Sequence, residues 1–242
     1  MFETAIALYA AHLLADFVLQ TDRMVAHKRH PLVLALHIII VIAATALVTG
    51  TLNPVPLLLI GVMHLLIDGW KLIWGKALSG FLLDQAAHFL SVIAIAGLFP
   101  LLFASGFWSA LPVWLSASGL TTLNYLWGLT LISGLIVTLR MGGFAIDLFI
   151  ARFNYIPTPE DPGLTEGGFY IGLLERAMIF LLVIVNQVAG IGFLVAAKSI
   201  LRFGVSQDRK TGEYVIIGTL ASFTWALVTA FLTQAVLARL GG

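Results

Sequence analysis

His64–His88 reads HLLIDGWKLIWGKALSGFLLDQAAH, and it decides how the rest of the chain is understood. Two pairs, His64/Asp68 and Asp84/His88, stand four residues apart in strongly apolar surroundings and mirror each other. Four residues make about one helical turn, so each imidazole lies over its carboxylate on one helix face, about 6 Å along the axis. A third pair, His12/Asp16, repeats the spacing in AAHLLADF near the N-terminus. The three pairs predict one polar cluster inside a helical bundle.

Composition says what surrounds it. Of 242 residues, 60% are apolar and 10% charged, against about 25% charged in soluble domains. Apolar runs are about 20 residues long with little alternation, which predicts helical spans rather than the short alternating strands of a barrel. The expected class is all-α, a polytopic bundle of six to seven transmembrane spans with a four-helix N-terminal group around the cluster. The net charge of +1 implies no nucleic-acid partner. Without cysteine there is no disulfide, thiolate ligand or thiol nucleophile. The N-terminus lacks a basic leader and carries His12 and Asp16, so it reads as a first span rather than a cleaved signal.

Read in order, spans are expected at 2–20, 32–50, 55–74, 81–103 and 120–139. Arg23, Lys28 and Arg29, then Lys71 and Lys76, place the loops after spans one and three in the cytoplasm. Ser105–Gly119, uncharged and Trp-bearing, reads as an interfacial segment on the far side. Composition then shifts: 140–168 is expected to hold a short amphipathic cytoplasmic helix and a Gly/Pro-rich loop. Two further spans, 169–202 and 214–237, complete a C-terminal unit, 169–242, beside the five-span unit 1–139. Seven simple crossings strand Arg202, Arg209 and Lys210 on the non-cytoplasmic side, and a re-entrant or broken 169–202 would remove that conflict.

A charged side chain at the bilayer centre costs about 2.5–3.5 kcal/mol even on the lenient scale, so Asp16, Asp68 and Asp84 need partners. A divalent cation supplies one: imidazole and carboxylate suit Zn²⁺, Mn²⁺ or Fe²⁺. The expected ligands are His12, Asp16, His64, Asp68, Asp84 and His88, around one or two ions. His37, alone in span two, is a further ligand or proton shuttle. Lys71 shares a face with His64 and Asp68 and is either an interface lysine or an anion clamp. One buried His–Asp pair is commonly a structural hydrogen bond, so a proton or ion pathway and a purely structural network stay beside metal binding. His27 and His30 lie in the basic loop and are set aside.

Span six carries a second set. Glu175 and Asn186 are eleven residues apart and share one helical track; Arg176, Gln187 and Lys198 share the next. Glu175, Arg176 and Lys198 either line a site for an anionic group or mark the membrane boundary. No phosphate-loop, nucleophile-elbow or H-E-x-x-H motif is present.

His12–Asp22, His37, His64–Lys71 and Asp84–His88, with HxxxDFxLQ, HxxxDxxK and DQxxH patterns, resemble a family of bacterial integral membrane proteins of unknown function. The likeness runs on through Leu173–Phe180, Ala196–Phe203 and Glu213–Ser222. The chain is also loosely similar to predicted membrane-bound metal-dependent hydrolases. The resemblance implies a multi-pass protein of the bacterial inner membrane. The leading expectation is an intramembrane metalloenzyme hydrolysing a lipid-linked or amphipathic substrate, with Asp84, Lys71 and His37 in catalytic roles. The alternatives are a divalent-cation or proton transporter using the same residues, and a non-catalytic membrane assembly protein.

Overall fold

The computed structural model describes residues 1–71, 77–109, 119–153, 166–202 and 209–242. Lys76, the end of the third expected span, residues 110–118 of the expected interfacial segment and 154–165 of the expected loop lie outside the described residues. Within them the chain is all helix: α1 (Phe2–Leu19), α2 (Asp22–Ala26), α3 (Pro31–Thr49), α4 (Pro54–Lys71), α5 (Leu78–Leu98), α6 (Thr122–Ala151), α7 (Gly167–Ile184), α8 (Ala189–Arg202) and α9 (Arg209–Gly241). Seven of these are long and apolar enough to cross a bilayer, and leucines such as Leu58, Leu90 and Leu98 stand exposed on their outer faces. The protein is a polytopic all-α membrane bundle.

Its first compact unit is Met1–Ser133 with Leu240–Gly242. Here α1 packs on α3 and α5, and α4 closes the ring between them. Ala7, Ala10, Ala11 and Ala15 are fully buried on α1, and such small side chains let membrane helices approach closely. Pro31 starts α3, where its missing N–H costs nothing. Gly50 ends the helix at φ 73°, a left-handed turn that glycine makes without strain.

One end of this unit is fastened by long-range bonds. The Met1 ammonium and Thr4 Oγ1 donate to Pro100 O at 2.9 Å. Phe107 N–H donates to Gly50 O at 3.0 Å, and Tyr125 OH to Val48 O at 2.9 Å. These bonds fasten the described part of the segment after α5 to the ends of α1 and α3, with Leu102, Phe103 and Gly106 buried. A Cβ at Gly106 would lie 2.2 Å from Thr49 O. Gly106→Val is therefore expected to lower unfolding stability in detergent by about 1–3 kcal/mol, the usual cost of overpacking. Gly97→Ala, with nothing within 4 Å of its Cβ, serves as the control, and equal midpoints for the two variants would contradict the packing account.

The second unit, Gly134–Arg239, differs from sequence expectation twice. Residues 140–151 do not form a separate surface helix, because α6 runs unbroken through them by a π turn at Val137–Met141. Glycine at 142 and 143 is no breaker here. A Cβ on Gly142 would meet the Trp225 ring at 2.5 Å, and Trp225 Nε1 donates to Val137 O at 2.9 Å. At 30 residues, α6 is about 45 Å long and exceeds the hydrocarbon core of about 30 Å, so it tilts or protrudes.

The second difference is that 169–202 is not one long helix. It breaks at Val185–Val188, with Asn186 at φ 59°. Asparagine tolerates that conformation better than most residues. Beyond the break α8 returns along α7 as a hairpin, with Ile191 packed beside Val183 and Phe180. The two continuous polar tracks read from the sequence therefore do not exist. Glu175 and Lys198 face each other across the hairpin instead, Lys198 Nζ standing 2.6 Å from Glu175 Oε1.

Candidate metal centre

At the end of the first unit opposite Gly50, helices α1, α3, α4 and α5 each contribute to one polar cluster. Asp16 falls in a π turn at Ala15–Leu19 that ends α1. The wider turn loosens its stack on His12, whose Nδ1 is 4.0 Å away, and π turns recur at functional sites. Asp16 Oδ1 meets His64 Nε2 at 3.3 Å and His37 Nε2 at 3.4 Å instead. Asp68 Oδ2 lies 3.5 Å from each of the same two nitrogens, which are 3.0 Å apart.

Two imidazole nitrogens 3.0 Å apart are thus flanked by two carboxylate oxygens, each 3.3–3.5 Å from both nitrogens, and the four atoms come from three helices. Separations of about 3.3 Å between each oxygen and the two imidazole nitrogens are those expected of ligand atoms that share an ion at about 2.0–2.2 Å. Asp16 Oδ1 and Asp68 Oδ2 are buried and have no hydrogen-bond partner. Two anionic oxygens without donors in a membrane interior are costly unless a cation lies between them. The chemistry of the donor set and its spacing fit a divalent ion.

Asp84 and His88 on α5 adjoin this group. Ligand atoms of Asp68, Asp84 and His88 lie within 4.8 Å of one another, as do those of His12, His64 and His88. His88 Nδ1 is 3.0 Å from the Asp84 carbonyl oxygen. Donation there leaves Nε2 with its lone pair free, the arrangement common behind metal-binding histidines. His88 Nε2 and His12 Nε2 are buried and unpartnered. Beside them lies a cavity of about 20 Å³, bordered by His12, His64, His88, Thr45 and Ser91, enough for one water.

Two lysines close the cluster from the loop end. Lys28 Nζ donates to Asp68 Oδ1 at 2.7 Å, and Lys71 Nζ donates to Asp84 Oδ2 at 2.5 Å, an oxygen Gln85 Nε2 also reaches at 3.1 Å. Asp68 and Asp84 are held alike: the outer oxygen on an ammonium, the inner oxygen buried and unpartnered. Lys28 and Gln85 were missed by the sequence reading, which used Lys28 only to orient the loop. The signal available was charge balance, three intramembrane carboxylates beside a basic loop.

Towards the other end the bundle turns apolar: Leu8, Val92, Ile95, Ala96 and Leu102 form a buried core beyond the cavity. The remaining expected site residues, Glu175, Arg176 and Lys198, lie in the second unit. Arg176 is buried, donating to Ser222 Oγ at 3.1 Å and Leu139 O at 3.3 Å.

Residues 5–116 match a family described as "Protein of unknown function (DUF3307)". The matched stretch holds every residue of the polar cluster, and the later stretches that carried the resemblance fall outside it. Neither a curated protein nor a solved structure matches the chain.

Proposed function

We propose that the protein is an intramembrane metal-dependent enzyme, a hydrolase of a lipid-linked or amphipathic substrate, in the bacterial inner membrane. The observation that carries this reading is the approach of Asp16 Oδ1 and Asp68 Oδ2, each at 3.3–3.5 Å, to the paired His37 and His64 Nε2 atoms in the bundle interior. In it His37 ranks as a full ligand, beside the His64/Asp68 pair and Asp16 of the His12/Asp16 pair. A divalent cation held there, Zn²⁺, Mn²⁺ or Fe²⁺, supplies Lewis acidity and a water made nucleophilic near neutral pH.

What favours an enzyme over a structural clamp is the surplus of donors. Asp84 Oδ1, His12 Nε2 and His88 Nε2 are buried, unpartnered and not needed for four-coordination. Asp84 is the carboxylate suited to accept a proton from the attacking water, and Lys71 the cation suited to a developing oxyanion. What disfavours a transit site is polarity confined to one side, since the lysine end is charged and the opposite half is sealed by the Leu8–Leu102 core.

The test joins metal analysis to turnover. Protein purified without chelator is expected to carry Zn, Mn or Fe, and to hydrolyse a member of a lipid-ester and phosphoester panel. His37→Ala is expected to weaken metal binding by at least about 10- to 100-fold, the range seen even for supporting residues. Metal-free wild-type protein would refute the centre. Metal-dependent flux in proteoliposomes without turnover would replace the enzyme by a transporter.

A further inference from the structure

The mouth of the cluster identifies the kind of molecule it takes. Asp16, Asp68 and Asp84 bring three negative formal charges, and Lys28 and Lys71 two positive ones. Imidazoles that ligate are neutral, so the side chains sum to one negative charge. A divalent cation turns that into one positive charge in a low-dielectric interior, where an unbalanced charge is expensive. The balance is restored by a monoanion.

Among the described residues, the polar cluster opens outward at Lys71. Lys28 has 11% of its side chain exposed, Asp68 1% and Asp84 2%, while Lys71 has 38%. Lys71 sits in a narrow cleft between the ends of α4 and α5, lined by Trp70, Gly80, Leu83 and Asp84. Trp70 is 41% and Leu83 46% exposed on the lipid side of that cleft. A tryptophan there suits the headgroup level, where an apolar body and a polar edge are both accommodated.

We infer that the cleft between α4 and α5 binds an anionic amphiphile: its single negative group exchanges onto Lys71, and its apolar chain lies along Trp70 and Leu83. The inference rests on the metal-centre reading for its charge balance. The anionic group displaces the Asp84 carboxylate from the Lys71 ammonium, leaving Asp84 beside the inner ligands. A neutral or cationic headgroup finds no such exchange partner at Lys71.

The probes are dodecyl phosphate, inorganic phosphate and dodecyl trimethylammonium, titrated calorimetrically into metal-loaded full-length protein in a neutral maltoside detergent. Dodecyl phosphate is expected to bind with one-to-one stoichiometry, at least 10-fold tighter than either other probe. Lys71→Met, which keeps the stem and removes the charge, is expected to weaken it at least 10-fold with bound metal unchanged. Lys71→Arg is expected to restore most of the binding, which a merely structural role for the lysine would not require. Equal affinity for inorganic phosphate overturns the amphiphile and leaves a free-anion site. Binding unaffected by Lys71→Met, or none of dodecyl phosphate, overturns the cleft. Loss of metal from the wild-type protein instead marks failure of the underlying centre, so the two failures are told apart.

Discussion

The double variant His64→Ala with Asp68→Ala is expected to purify with no stoichiometric Zn, Mn or Fe. It removes two corners of the four-atom cluster, including one nitrogen that contacts both carboxylate oxygens at 3.3 and 3.5 Å. Each three-residue donor group of the cluster loses a member, so two donors remain in each, too few to hold an ion against water. Removing Asp68 also strips Lys28 of its partner, but Lys28 sits at the loop end with a long stem and can turn its ammonium outward. Loss of metal should therefore not be a consequence of unfolding. Thermal unfolding with and without chelator separates the two. A bound ligand stabilises the folded state by about 4 kcal/mol when present at 1,000 times its dissociation constant. Chelation should thus lower the wild-type midpoint by several degrees and leave the double variant's where it was. Stoichiometric metal in the variant, or a wild-type midpoint indifferent to chelator, sinks the ligand assignment.

The pairs His12/Asp16, His64/Asp68 and Asp84/His88 could be read in the sequence because helical periodicity is local. Four residues in an apolar run suffice to put two side chains on one face. Apolar run length likewise gave the first four spans at nearly their observed limits, but it ended the fifth twelve residues early and carried the sixth across the break at Val185–Val188. The rank of His37 could not be read that way, since it has no partner on its own helix. Its place depends on how α3 packs against α1 and α4, which no spacing within α3 encodes. Lys28 was hidden for the same reason: Asp68 is forty residues further along the chain. The π turn at Ala15–Leu19 left no compositional trace. The run of α6 through 140–151 was hidden because glycine, which commonly ends helices, here at Gly142 lets Trp225 lie against the helix. The break at Asn186 was foreseen only as an option, from excess length and stranded arginine.

That break carries the second large expectation, which concerns Glu175 and Lys198. The hairpin of α7 and α8 meets at this ion pair about ten residues on either side of the turn, with Lys198 Nζ 2.6 Å from Glu175 Oε1. Glu175 is 10% and Lys198 22% exposed at the side chain, and Lys198 also lies over the Phe223 ring at 5.4 Å. The pair is desolvated on most sides. Losing one partner of a buried pair costs about 3–5 kcal/mol, because the survivor keeps its charge without compensation. Lys198→Met should therefore destabilise the hairpin strongly, leaving the Glu175 carboxylate beside neighbours that offer no second salt bridge among the described residues. Glu175→Gln should do less harm to the fold than Lys198→Met, since the ammonium left behind retains the Phe223 face and the longer, more exposed stem. Combining the two removes both charges, and the double variant is expected to recover most of the loss, as apolar or neutral replacements of whole buried pairs commonly do. A mass-tag accessibility assay on single cysteines placed at Val188 and Ser199, in a chain with no native cysteine, reads the hairpin directly. α8 is too short to cross the bilayer, at 14 residues or about 21 Å. In the wild-type background Val188→Cys and Ser199→Cys should therefore label at distinct, fixed rates, and with Lys198→Met labelling of Ser199→Cys should rise as the end of α8 leaves α7. Additive losses in the double variant, or Ser199→Cys labelling unchanged by Lys198→Met, would contradict the staple.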